Sequence, residues 1–371
     1  MTIAVLGAGM IGRAIALDLA NDHSVTSFDL TAENLNELKE RNAGIQTVGA
    51  DLSHFGEYKN WFSPFDLVVT AVPGFMGFKT LEAVINSGKD VVDISFFPED
   101  ALLLDNLAKE KEVTAITDCG VAPGISNFIF GRCNEEMKIT SFECYVGGLP
   151  QNPKAPFYYK APFSPMDVIQ EYIRPARLME NGKIVTKPAL SDREIIQFDK
   201  VGELEAFNTD GLRSLIYTMK HVPDMKEKTL RYPGHIDLII ALKQSGFFDT
   251  TPVRINDAET TPLEFTSRLL VNEWKLEPGE EEFTIMKVII KAGGKTIVYD
   301  LLDRYDEATK TTSMARTTGY TCTAAVNLVA KGLFTKKGVL PPELVGNDKN
   351  CFDFVMEYLK GRNVIWKKSS G

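Results

Sequence analysis

TIAVLGAGMIGRAIALDLA, residues 2–20, sets three glycines behind a short apolar run and ahead of an amphipathic one. The run at 3–6 reads as a strand and 11–20 as a helix, so Gly7, Gly9 and Gly12 form G-x-G-x-x-G in the context that motif needs. Gly7 permits the tight turn, Gly9 lets backbone approach a pyrophosphate, and Gly12 lets the helix pack close to the strand. The phosphates would sit on the free N–H groups and positive dipole end of the helix at Met10 and Ile11. The motif also asks for an acid at the end of the second strand. Asp29, in VTSFDLTAEN (25–34), stands there. A carboxylate at that place accepts hydrogen bonds from both ribose hydroxyls and repels a 2′-phosphate, and no Arg follows to offset it, so NAD is the expected cofactor.

Outward from this turn, apolar runs at 3–6, 24–28, 45–48, 67–71, 90–94 and 113–116 alternate with amphipathic stretches such as 77–87. That rhythm predicts an α/β fold, a Rossmann doubly wound parallel sheet. Its strand ends would line one crevice: Asp51 near adenine, Ala71, Val72 and Pro73 beside ribose and pyrophosphate, Asp93 and Ser95 nearer the nicotinamide, then Asp118 and Cys119. Beyond residue 120 the texture changes. GGLPQNPKAPFYYKAPFSP (147–165) is a strand running into a shaped loop, and EEFTIMKVIIKAGGKTIVYDLLDRYD (281–306) alternates around a hairpin turn at AGGK. A second α+β domain with a mixed, mostly antiparallel sheet follows. The expected division is 1–125 for the nucleotide, 126–315 for substrate and dimerisation, and 316–371 returning to pack on the first unit.

Composition narrows the function. The chain has 371 residues, is 44% hydrophobic and 25% charged, and carries a net charge of −9. No basic stripe suits a phosphate backbone, so nucleic acid is an unexpected partner. Five scattered cysteines, an odd number without a CxxC pair, suggest neither a disulfide framework nor a zinc site; no metal is expected, and a reducing cytoplasm suits them. No apolar run reaches the roughly 20 residues of a membrane span, and the N-terminus has no basic export signal. His23, His54 and His221 fall in polar loops and need no function.

Six further stretches carry a resemblance: DCGVAPGISN (118–127), GGLP (147–150), FYYKAPFSPMDVIQEYIRPA (157–176), LEAFNTDGLRSLI (204–216), KTLRYPGH (228–235) and ARTTGYTCTAA (315–325). With them the chain resembles the saccharopine dehydrogenase family, in its shorter L-lysine 6-dehydrogenase-like branch. The resemblance implies an active cleft between two domains, a homodimer, and redox chemistry at a C–N bond. Saccharopine reductases carry acids in a GLDPGID loop where this chain has GVAPGIS, so Ala122 and Ser126 disfavour saccharopine. The branch implies oxidative deamination of the ε-amine of L-lysine, with hydride passing to NAD, the imine hydrolysing, and the semialdehyde cyclising. A saccharopine-type C–N oxidoreductase and a non-catalytic dinucleotide sensor are the alternatives.

Such chemistry needs a free nitrogen lone pair. An amine of pKa about 10.4 is neutral in roughly one molecule in 2,500 at pH 7, a cost of about 4.6 kcal/mol. The site must lower that cost by desolvation, by a nearby cation or by a base. Among the stretches above, Lys160 is expected to supply the cation or bind a carboxylate, Tyr159 to donate a hydrogen bond, and His235, opening a helix, to stay neutral and accept a proton. The base is left open among His235, Lys160 and bound water. Arg231 has the planar fork for an α-carboxylate, and Thr209, Asp210 and Arg213 form a turn where Asp210 would meet an α-ammonium. Asp210 reads equally as a helix N-cap, and Tyr158 as packing.

Overall fold

Long apolar runs make the first sheet. Strands β1 (Thr2–Leu6), β2 (Ser24–Asp29), β3 (Gln46–Gly49), β4 (Leu67–Thr70), β5 (Asp90–Asp93) and β6 (Thr114–Ile116) are mostly parallel-sheet interior, and β4 is buried along its whole length. Helices on both faces leave no polar side, which is why these strands do not alternate. The structure, a computed structural model, describes residues 1–256, 258–277 and 279–371.

The remaining strands are β7 (Ser141–Pro150), β8 (Ala176–Glu180), β9 (Lys183–Lys187), β10 (Glu194–Phe198), β11 (Gly202–Asn208), β12 (Asp224–Arg231), β13 (Val253–Ile255), β14 (Ala258–Thr260), β15 (Glu282–Ala292), β16 (Lys295–Arg304), β17 (Gly338–Val339) and β18 (Trp366–Ser370). The first sheet runs β17-β6-β5-β4-β1-β2-β3, and β1 pairs in parallel with both β2 and β4. Strand order therefore reverses at β1, the switch point where α/β sheets place ligands. The second sheet is nine-stranded along β10-β11-β12-β7-β15-β16-β18, with β8 and β9 attached beside β12. Only β12 and β7 run parallel there; the other pairs are antiparallel.

Helix α1 (Met10–Leu19) follows the glycine turn directly. A methyl group on Gly12 would fall on the carbonyl oxygen of Gly7, so close approach of helix to strand requires glycine there. The helix expected at 77–87 begins earlier, at Gly74 directly after Pro73, and runs to Asn86; the fixed φ of proline suits the helix entrance.

Residues 316–371, expected to pack as one on the first unit, divide between the sheets. Helix Ser313–Ala330 lies against α1, and β17 extends the first sheet beside β6. Strand β18 instead pairs with the open edge of β16, in register from Leu301–Trp366 to Ile297–Ser370. The chain end thus fastens the second sheet, because an unpaired β16 edge offers a full row of backbone donors and acceptors.

Candidate active site

The phosphate turn is built as its spacing dictates. Gly9 caps α1 without a side-chain hydrogen bond, leaving N–H groups of the first turn, at Met10 and Ile11, free for an anion. Asp29, at the end of β2, accepts 2.7 Å hydrogen bonds from the backbone N–H of Ala8 and of Thr31. The turn and its acid are thereby locked together. Ala71, Val72 and Pro73 join β4 to the next helix at the same edge. Asp51 follows β3, where its carboxylate takes the Ser53 N–H and hydroxyl. These residues fit a dinucleotide: an uncapped helix end for phosphates and a fixed carboxylate for the ribose.

Three residues of the expected crevice turn inward. Asp93 is fully buried and accepts from the Thr70 hydroxyl and the Ser95 N–H. Burial pushes its carboxyl up to about 7. Ser95 is buried with it, its hydroxyl unpartnered. Cys119 is fully buried, with its sulfur toward the Thr321 carbonyl at 3.8 Å, and burial pushes its thiol far up. These tie the strand ends together and do not face a ligand. Asp118 does.

Beside the glycine turn a partly open cavity of about 120 Å³ joins the two sheets. Ile11 of α1, Ile94 after β5 and Asp118 after β6 form one wall; Val146 of β7 and Glu227, Thr229 and Arg231 of β12 form the other. The spacing of two along β12 puts these three side chains on one face of the strand.

Arg231 is 2% exposed and held on every side. Its Nε donates to the Tyr172 hydroxyl (2.9 Å), Nη1 to the Leu230 carbonyl (2.9 Å), and Nη2 to Glu171 (2.9 Å). The guanidinium also lies 4.3 Å from the Tyr159 ring centroid. A guanidinium has five N–H donors, so one remains on each Nη, a fork for a carboxylate. Thr209 and Thr229 line the same wall with their hydroxyls 2.9 Å apart.

The other expected residues have other duties. His235 is fully buried: its Nδ1 donates to the Phe157 carbonyl (2.8 Å), so Nε2 accepts from the Tyr172 hydroxyl (2.9 Å). Burial and Arg231 lower its pKa to about 3. It is neutral, as expected, yet both nitrogens are used, and it orients Tyr172 rather than taking a substrate proton. Tyr159 is buried against His235, Trp274 and Arg231, its hydroxyl pointing to no partner. Lys160, next along the chain, lies outside the cavity. Its Nζ donates to the Glu273 carbonyl (2.7 Å) in a separate surface hollow with Asn152 and Glu277.

Asp210 is gripped by Arg177 through two 2.8 Å side-chain bonds and a 3.1 Å backbone bond. It is neither an N-cap nor open to an ammonium. Arg213 crosses between sheets to Asp118 (2.8 Å) and lies 5.1 Å from the Phe96 ring, a buried tie rather than a substrate contact. Tyr158 is 38% exposed, so it is not packing.

Sequence reading passed over Glu227. Its carboxyl is buried in the cavity wall, and among the described residues it has no hydrogen-bond partner or ion pair. Gly211 leaves room for it; a methyl there would overlap the carboxyl. Burial, then the carboxylates of Glu171, Asp210 and Asp118, push its pKa up to about 8.

Comparison with known proteins gives the family. The sequence model for the saccharopine dehydrogenase C-terminal domain matches residues 120–365, and that for the saccharopine dehydrogenase NADP binding domain matches 3–116. The chain belongs to the saccharopine dehydrogenase family. It is 26% identical over 352 residues to alpha-aminoadipic semialdehyde synthase of Arabidopsis thaliana, a match to 80% of this chain and 33% of that protein. To saccharopine dehydrogenase [NADP(+), L-glutamate-forming] of Pyricularia oryzae it is 24% identical over 268 residues, 66% of this chain and 58% of the relative. The chain thus spans from a third to little more than half the length of these relatives. Apo saccharopine dehydrogenase (L-Glu forming) from Saccharomyces cerevisiae superposes with a TM-score of 0.79 at 19% identity, covering 100% of this chain and 99% of that one, which shows the shared fold. Among the described residues no helix is long and apolar enough to cross a membrane.

Proposed function

We propose that this chain is an NAD-dependent oxidoreductase of CH–NH2 groups that deaminates the ε-carbon of L-lysine, giving a semialdehyde that cyclises. One observation carries the reading: a single small cavity joins the phosphate helix, at Ile11, to the carboxylate fork of Arg231 and the unpaired carboxyl of Glu227. A bound nicotinamide ring supplies the two-electron acceptor. The protein supplies the rest: Arg231 holds an α-carboxylate, and the buried side chains of the wall displace water from the amine.

Charge and size favour a compact cation. Arg231 is matched by Glu171 and Arg213 by Asp118, so Glu227 is the acid left for a substrate ammonium. About 120 Å³ is well below the roughly 300–1,000 Å³ typical of drug-sized ligand sites, which suits one amino acid better than two joined. Ala122 lines the cavity where saccharopine reductases carry an acid. NAD is supported by Asp29 at the ribose edge, where Arg13 on α1 is already paired with Glu37. The dimeric assembly, the division of labour at residues 125 and 315, and a cytoplasmic site of action belong to this proposal; five free, buried cysteines suit a reducing compartment.

The test is to follow absorbance of reduced nicotinamide with NAD or NADP and a panel of L-lysine, D-lysine, ornithine and saccharopine. L-lysine with NAD should be turned over fastest. Preference for saccharopine, which the names of the relatives favour, would move the assignment to a saccharopine-type enzyme. No turnover of any amine would leave a dinucleotide sensor.

A further inference from the structure

Strand β12 presents Glu227, Thr229 and Arg231 in sequence to one cavity, and the three differ sharply in how they are satisfied. Arg231 is bonded to Tyr172, Leu230 and Glu171, and Thr229 is bonded to Thr209. Glu227 lies within the same wall with no partner among the described residues, in a structure where the other acids lining that cavity, Asp118 and Glu171, are ion-paired. A buried carboxyl without a counter-group costs stability, so its persistence in a cavity facing the cofactor edge points to a ligand group that completes it.

We propose that Glu227 is the proton acceptor for the substrate nitrogen. This rests on the C–N oxidoreductase reading above. The carboxylate receives the R–CH2–NH3+ group and takes one N–H proton, becoming the neutral acid. The freed lone pair then forms the C=N bond as the carbon releases a hydride, with both electrons of its C–H bond, to the oxidised dinucleotide. The products are R–CH=NH2+, the reduced dinucleotide and protonated Glu227, which returns its proton to solvent before the next turnover. With Arg231 gripping the α-carboxylate on the same strand face, one wall reads both ends of the molecule.

The charged and titratable groups facing Glu227 are Glu171 on helix Pro165–Ile173, Asp118 after β6, Asp210 and Arg213 after β11, Cys144 on β7, and Arg231 on its own strand. Burial, and then the acids, which outnumber the bases that lie close, raise the carboxyl to about 8. An acceptor in that range is well placed to pull a proton from a desolvated ammonium near neutral pH.

The experiment compares wild type, E227Q and E227D. With L-lysine and NAD, wild-type kcat/KM should rise with pH to a limb near 8, and E227Q should lose about 100-fold or more together with that limb. E227D should recover part of both. An activity-free readout accompanies it. Because the folded pKa lies above the ordinary carboxylate value, the protonated fold is favoured, and wild type should lose thermal stability as pH rises from about 4.5 to 8. E227Q should lack that component, so its melting midpoint exceeds the wild-type value at pH 9, with the gap closing toward pH 5. If E227Q keeps kcat/KM within threefold, or its midpoint tracks wild type at every pH, Glu227 is not the acceptor, while lysine oxidation stands. If wild type oxidises no amine, the parent reading fails and the acceptor role falls with it.

Discussion

The glycine turn and the β12 wall do adjacent work by opposite means. The turn binds with backbone: its geometry comes from residues 7–12, and its one side-chain partner, Asp29, is fixed by two backbone N–H groups. The wall is built of side chains whose state depends on partners brought from far along the chain. Arg231 is held by Glu171 and Tyr172, and Tyr172 in turn by His235. Backbone sites are therefore written in local spacing, whereas a side-chain site is written in who neutralises whom.

The largest effect expected tests the wall. Arg231→Ala removes the partner of Glu171 and the donor to Tyr172, and breaking a buried ion pair from one side costs about 3–5 kcal/mol. A fall of that size in denaturant-derived stability is expected, with loss of L-lysine binding by calorimetry. Arg231→Lys keeps the charge without the fork, and should raise KM far more than it lowers kcat. A variant as stable as wild type would show the wall to be a collection of independent contacts.

The turn answers differently to Gly12→Ala. The added methyl meets backbone, the carbonyl oxygen of Gly7, which cannot swing aside. About 1–3 kcal/mol of destabilisation is expected, and dinucleotide binding, read by fluorescence quenching, should be lost. The cavity residues would keep their own order, so lysine binding to the apo protein should persist, separating the two regions.

How much of each region was legible follows from the same contrast. The turn, its acid and the parallel sheet were readable because strand, glycine spacing and helix lie consecutively in residues 2–29. Arg231, singled out for its planar fork, does line the cavity. His235 was misread because its two acceptors and donors, Phe157 and Tyr172, come from residues 78 and 63 positions away. Asp210 was misread for the same reason, its neutraliser Arg177 being 33 positions distant. Glu227 carried a signal that went unused: on a strand holding Arg231 toward the cavity, the period of two also selects Thr229 and Glu227, while Lys226 and Lys228 face the acids Glu143 and Glu194.

A smaller effect sharpens the cofactor side. Leu30 is 72% exposed beside Asp29, so Asp29→Asn with Leu30→Arg exchanges the local charge without burying anything new. The ratio of kcat/KM for NAD over NADP should fall about tenfold or more, which is about 1.4 kcal/mol. An unchanged ratio would place ribose recognition on another residue, Arg13 being the nearest cation on α1.

The smallest effect is expected at Lys160, and it is the most direct way to break the comparison. Lys160 neighbours Tyr159, whose ring supports Arg231, so proximity in sequence makes it look like part of the wall. In the fold its ammonium leaves the wall for the Glu273 carbonyl in an open hollow, where water replaces any lost bond. Lys160→Ala should change stability by no more than about 0.5 kcal/mol and leave kcat/KM within threefold. A loss beyond tenfold without a change in melting midpoint would mean that Lys160 swings inward once substrate is bound. The wall would then be assembled by the ligand rather than waiting for it, and the partners seen in this structure would no longer decide which residues act.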